Sequence, residues 1–374
     1  MRVLFVVVLV TLTSCKKPSV PPVVDAGAPV ARALPSAPST LSLLEPVGDT
    51  CEWRTRAPSG TTTTLATLPG SCVGARIAWS PDTSKALVWF DPSHLQRSGY
   101  SAEFSSKPGF PDEPDDPAPK PRALRVDVRT GAVTPLPMPP TRNVDELAEL
   151  GLGADGVPLA LMTETLQEDA ANKPRLTVDG QTFDLSELHE GAPALARAFR
   201  FEHDRWTRVE TALTTTGWDY ALGVRALKTF EALGPRSAEL SVSRIGGDAA
   251  DDAEADALNK LLPPKVTADD GAWVFIGAGG ARVYVWEVSG EFAHSTGLIA
   301  NGAPPVKLTE LGFTDGDLVA VRPSGAYVLI TEGDVGTHPR LYTFPGAKRV
   351  FASDTARATT FWPGTAKPEH HEAH

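Results

Sequence analysis

Apolar and polar positions alternate along this chain in short runs, and most runs stop at a cluster of Pro, Asp, Ser or Gly. Residues 77–90, IAWSPDTSKALVWF, are the clearest case. An apolar run ending at Trp79 meets a turn at Ser80, Pro81, Asp82, Thr83 and Ser84, and a second apolar run follows to Phe90. Two β-branched and aromatic runs around such a cluster predict a β-hairpin. The phrase returns at residues 150–162, 209–224, 266–276 and 318–331. A second kind of phrase follows these copies, with period-two alternation around a glycine turn. It occupies residues 124–136, 175–185, 282–292 and 340–351, and it is reduced to one strand at 240–245.

Two pieces are left over. A hairpin at residues 51–68, turning at Pro58, Ser59 and Gly60, has no inner partner before it, and a strand at 356–363 has no unit of its own. Joining the two closes a ring and removes exposed strand edges. With a Pro- and Asp-rich insertion at residues 91–121 set aside, the repeat approaches the roughly 40 residues of a four-stranded blade. The expected fold is all-β: a single β-propeller of six four-stranded blades, closed by the C-terminal strand pairing with the first hairpin. A seventh blade is expected if residues 194–203 belong to a further unit.

The sequence AWSPDTSKALVWF, followed by LRVDVRTGAVTPL, resembles the WD40-like repeat of TolB-type β-propellers. That repeat runs apolar-Ser-Pro-Asp-Gly into an apolar strand, and here Thr83 stands where the family has glycine. Other copies keep fragments: ADG at 154–156, DDG at 269–271 and PSG at 323–325. The resemblance implies a propeller over residues 45–363. It also implies a broad platform for docking another protein, as TolB-like proteins use theirs.

Composition agrees with short strands and tight turns. The 374 residues include 32 Gly and 34 Pro, and 41% hydrophobic residues can fill a substantial core. The formal net charge of −11 repels phosphate and argues against nucleic-acid binding.

At the N-terminus, Met1 and Arg2 precede an apolar run at residues 3–12, too short to cross a bilayer of roughly 30 Å as a helix. The run ends Leu12-Thr13-Ser14-Cys15, which resembles the lipobox of bacterial lipoproteins. The resemblance implies a signal peptide over residues 1–14, a diacylglyceryl group on the Cys15 thiol, and attachment to a membrane through that lipid. An ordinary signal peptide with an incidental cysteine is the other reading. Residues 15–44 would then be a lipidated cysteine and a disordered Pro- and Ala-rich tether, and 364–374 a disordered tail. Lys16 follows the cysteine where an enteric retention signal carries Asp, which favours the outer membrane, facing the periplasm or the surface; the inner membrane stays open. Export places Cys51 and Cys72 in an oxidising compartment, where the pair is expected as a disulfide rather than as two buried thiols.

Little in the sequence carries chemistry. GxSxG, HExxH, CxxC and GxxxxGK[ST] are all missing. His370, His371 and His374 sit in a terminal tail. Gly277, Gly279 and Gly280 precede a strand pattern, so they read as a turn and not as a phosphate loop. Asp248, Asp251, Asp252, Glu254 and Asp256 lack the spacing of a calcium loop and read as solvated charge. The eight Trp fall mostly in strand phrases and are expected in the core. The expected function is a non-enzymatic cell-envelope lipoprotein with an envelope protein partner, no metal and no cofactor. The insertions at 91–121 and 246–262 are its expected contact elements. An exported propeller that binds or hydrolyses carbohydrate or peptide is the alternative.

Overall fold

The computed structural model describes residues 31–35, 39–90, 121–140, 145–166, 175–178, 180–184, 192–216, 224–235, 241–244, 260, 272–276, 281–290, 293–300, 304–313, 319–332 and 337–363. β1 (Leu41–Val47), β2 (Thr50–Arg56) and β3 (Thr62–Pro69) form an antiparallel meander. β4 (Ala75–Trp79), β5 (Lys85–Phe90), β6 (Arg122–Asp127) and β7 (Val133–Leu136) make the second sheet in that order. β8 (Asp145–Leu152) and β9 (Pro158–Thr165) open the third sheet. A separate hairpin, β10 (Arg175–Val178) and β11 (Gln181–Asp184), follows before β12 (Ala192–Glu202) and β13 (Arg205–Thr216) complete that third sheet. The fourth contains β14 (Ser241–Arg244), β15 (Ala272–Ile276), β16 (Arg282–Gly290), β17 (Ala293–Ala300) and β18 (Val306–Lys307). The fifth contains β19 (Val319–Ser324), β20 (Tyr327–Glu332), β21 (Thr337–Thr343) and β22 (Lys348–Ala352).

The last strand, β23 (Arg357–Phe361), returns to the first sheet and pairs antiparallel with β1, with Leu41 opposite Phe361 and Ser42 opposite Thr360. The Trp362 amide donates to the Thr40 carbonyl at 2.6 Å. Its ring stacks on Trp53 with centroids 6.0 Å apart and meets Trp79 edge-on at 6.0 Å. One aromatic cluster thus joins the chain's end to the first and second sheets.

Strands of different sheets also touch one another. β4 touches β8 and β23, β23 touches β19, and β19 touches β15. The core lies between sheets, which explains the unbroken apolar run of β5. Ala86, Val88 and Phe90 face the cluster containing Trp53 and Trp79, while Leu87 and Trp89 face Leu150 and Met162 of the third sheet. A strand buried on both faces loses its polar alternation.

The turn after β4 is held by its own side chains. The Ser80 hydroxyl donates to Asp82 Oδ1 at 2.7 Å, and the Ser84 amide and hydroxyl also donate to Asp82. These bonds, Ser80's first, hold the Asp82 carboxylate below its ordinary range. Thr83 takes the left-handed conformation at φ 56°, unfavourable for a β-branched residue.

Cys51, at the start of β2, is bonded to Cys72, with Cα atoms 5.1 Å apart and both residues buried. The bond closes a loop whose ends are 21 residues apart. Replacing both cysteines with alanine is expected to lower stability by about 3 kcal/mol. Urea denaturation of the oxidised chain and the double variant measures this, and equal midpoints would rule out a stabilising role.

Four expectations need correction. First, residues 209–216 are not half of a hairpin turning at Thr214; they belong to the single strand β13. The turn lies at His203 and Asp204, both left-handed at φ 50° and 58°, as two-residue hairpins require. Second, β12 and β13 therefore complete the third sheet, and residues 175–185 give the separate hairpin. Third, the strand expected at 240–245 is β14, paired with β15 in the fourth sheet. The described residues thus form five sheets of four or five strands beside the hairpin, where six units were expected. Fourth, order begins before residue 45. β1 starts at Leu41, and Arg32 docks on the first two sheets: its amide donates to Arg129 O at 2.8 Å and its guanidinium to Leu65 O at 2.9 Å. Apolar Leu34 and Leu41 find a core to enter, which a Pro- and Ala-rich composition conceals.

Candidate interaction surface

A strap crosses the third sheet after β13. It consists of a 3-10 turn at Val224–Ala226, the short helix α1 (Lys228–Glu231), and an extended run to Pro235. Val224, Leu227, Phe230 and Leu233 recur at intervals of three, so one side of the strap is apolar. Val224 and Leu227 are fully buried against Leu161, Ala196 and Ala198. The residue preceding the helix, Leu227, has no side-chain acceptor, and Glu210 of β13 supplies one from outside. Its carboxylate accepts from the Lys228 amide at 2.8 Å, the Thr229 amide at 2.9 Å and the Thr229 hydroxyl at 2.6 Å.

Burial alone would raise the Glu210 pKa, but the bonds from Thr229 and Lys228, with the Lys228 charge, together hold it below its ordinary value. A depressed folded-state pKa means that this contribution is present above the unfolded value and is lost as pH falls through the folded one. Glu210→Gln is expected to cost about 1 kcal/mol at pH 7, the scale of a lost helix cap. The two proteins should converge in stability as pH falls below the ordinary carboxylate range. Thermal melts at pH 7 and pH 3 test this; a gap that persists at pH 3 would assign the loss to shape, not charge.

The strap then ties two first strands together. Gly234 donates to Leu152 O at the end of β8 at 2.7 Å, and Trp79 at the end of β4 donates to Pro235 O at 2.8 Å. Leu233 forms a bridge with Gly153.

Between strap and sheet lies an open cavity of about 420 Å³. Leu159 of β9, Val209 of β13 and Ala232 of the strap give it an apolar floor; Asp155, Arg200 and Thr229 edge it. The Arg200 guanidinium bonds Glu202 through Nε at 2.5 Å and Asp155 through Nη2. The bond from Arg200 holds the Asp155 carboxylate below its ordinary range. The Lys85 ammonium also stands on this side, 3.7 Å from where a Cβ on Gly156 would lie, so Arg200 and Lys85 balance the two carboxylates. Val209 is 52% exposed. It sits at a bulge, where the register steps from Ala198–Glu210 to Phe199–Arg208 and leaves Val209 without an opposite residue.

Other charged groups lie deeper. Arg76 of β4 and Glu149 of β8 form a buried pair at 3.9 Å between the second and third sheets, and Arg197 pairs with Glu164 across β12 and β9. At the head of β23, burial pushes the Arg357 guanidinium down while Glu332 partly offsets this; Glu332 also meets His338 Nδ1 at 2.6 Å. Among the described residues no group of three or more His, Cys, Asp and Glu side chains is placed to hold a metal ion.

Of the residues singled out in the sequence, Cys51 and Cys72 come together in the core, away from this groove. Cys15 and the insertion at 91–120 lie outside the described residues, as does nearly all of the acidic insertion. Trp53, Trp79 and Trp89 are fully buried between sheets, and Trp206 donates to Pro137 O at 2.9 Å. The groove residues were missed in the sequence. The three-residue period from Val224 to Leu233 was the available signal for the strap.

No family model matches this chain, and no curated protein does. One solved structure, described as the crystal structure of the eukaryotic initiation factor, aligns over 88% of this chain and 80% of that chain. Sequence identity is 9% and the TM-score is 0.22, a likeness on which nothing about this chain rests.

Proposed function

We propose that this chain is a cell-envelope lipoprotein whose sheets form a β-propeller acting as a non-enzymatic platform for another protein. In this reading each of the five sheets is one blade, fewer than the six expected from the repeats. The observation that carries it is the return of the last strand: β23 is zipped onto β1 and touches β4 of the second sheet and β19 of the fifth. Such a stack presents its connecting loops from a rigid frame. Lipid attachment rests on the Leu12–Cys15 motif. With Arg32 docked on the first two sheets, the 17 residues from Cys15 would reach at most roughly 60 Å.

Replacing Cys15 with Ala is expected to move the protein from the membrane to the soluble fraction. Retention on the membrane would sink the anchor. In-cell cross-linking with mass spectrometry is expected to return one recurrent envelope protein. Finding no protein above background would sink the platform.

A further inference from the structure

We propose that Arg32 is a releasable latch on the membrane tether, setting where the chain leaves the domain and how far it reaches. Arg32 sits at the seam between the first two sheets. Its amide donates to Arg129 O, between β6 and β7, at 2.8 Å. Its guanidinium Nη1 donates to Thr64 O at 2.6 Å and to Leu65 O at 2.9 Å. Both carbonyls belong to β3, the terminal strand of the first sheet. Leu65 has no opposite residue on β2, because the register steps there from Trp53–Ala66 to Arg54–Thr64. A bulged edge strand leaves backbone groups outside the ladder, and here Arg32 covers two of them. Gly131 keeps the seam narrow: a Cβ on it would lie 2.5 Å from Leu65 O and 3.4 Å from Arg32 Nη2.

Seven residues further on the chain is held a second time. Ser39 Oγ donates to the Ser324 carbonyl of the fifth sheet at 2.8 Å, and both serines are buried. The two holds are unequal. Arg32 and Ala33 are exposed, and Leu34 is only half-buried against the core shared by the first two sheets. Water competes for the Arg32 bonds, and ordering the segment costs backbone entropy. Such a fringe opens locally while a buried contact stays closed. Latched, the 17 residues from Cys15 to Arg32 reach at most roughly 60 Å. Released, the 24 residues from Cys15 to Ser39 reach at most roughly 85 Å. The exit then moves from the seam of the first two sheets to the fifth sheet, and the Thr64 and Leu65 carbonyls are bared.

The membrane end of this tether rests on the lipoprotein reading, but the latch is tested without it. The full chain carrying Cys15→Ala, Ala33→Cys and Val350→Cys is spin-labelled at the two new thiols, both at exposed positions, while Cys51 and Cys72 stay bonded to each other. Pulsed electron paramagnetic resonance then reads the distance distribution. Two components are expected, a narrow one from the latched chain and a broad one from the released chain. Arg32→Ala is expected to remove the narrow component, and Leu34→Ala to reduce its share. Thermal melts confirm that both variants fold. A narrow component alone in the parent would overturn release, and a broad one alone would overturn docking. A narrow component unchanged by Arg32→Ala would overturn Arg32 as the latch. None of these results depends on whether Cys15→Ala leaves the membrane, which tests the anchor by itself.

Discussion

A chain ending at Ser353 is expected to lose its cooperative unfolding transition. The deletion removes β23, bares the edge of β1 and takes Trp362 from its stack with Trp53 and Trp79. Ala356, Ala358 and Thr359 are buried and leave with it. Trp362→Ala alone is expected to cost about 3–5 kcal/mol, the range for a large aromatic removed from a core. Stability of a folded domain is on the order of 5–15 kcal/mol in total, so loss of the whole strand consumes most of it. The unpaired β1 edge should also promote aggregation. Urea titrations followed by circular dichroism and tryptophan fluorescence test both variants. A truncated chain with the parent's midpoint would show that the closing strand contributes nothing to the fold.

Gly234→Ala is the second. A Cβ at this position would lie 2.1 Å from the Trp79 carbonyl oxygen and 3.4 Å from that of Leu152. Both contacts are backbone, in the ends of two buried strands, so neither can swing aside as a side chain would. The strap must lift, and with it go the hydrogen bonds of Gly234 to Leu152 and of Trp79 to Pro235. The expected cost is about 3 kcal/mol, the upper end for an overpacked site. Hydrogen exchange should locate the damage: the Trp79 and Gly234 amides should lose protection while those of the fifth sheet keep theirs. Unchanged protection at Trp79 would mean that the strap does not hold the strand ends.

Much of the local structure was legible in the sequence. The hairpins β4–β5, β6–β7, β19–β20 and β21–β22 fall where a Gly, Pro or Asp turn separates two β-branched runs. The signal is local because the turn chemistry and both strands lie within about a dozen residues. Reading failed where turn chemistry misled. Thr214–Gly217 looks like a turn and His203-Asp204 does not, yet the chain reverses at the latter pair. Eleven residues of β12 pair with eleven of β13 across it, and so extended a ladder outweighs the local preference of two residues for other conformations. Position 41 was misjudged for a related reason. Leu41 and Leu43 are buried only because Leu329 and Leu341 of the fifth sheet stand opposite them.

The sequence by itself determined the class of structure, the places of most turns, the return of the final strand to the start of the domain, and which two cysteines are available to each other. Each depends on residue type and near neighbours. Which strands share a sheet, and what the sheets leave open between them, only the tertiary structure decided. The groove joins Asp155, Arg200, Val209 and Ala232 from four separate stretches. No periodicity links those stretches, because their proximity is set by packing the strap against the third sheet and not by any preference of the residues themselves.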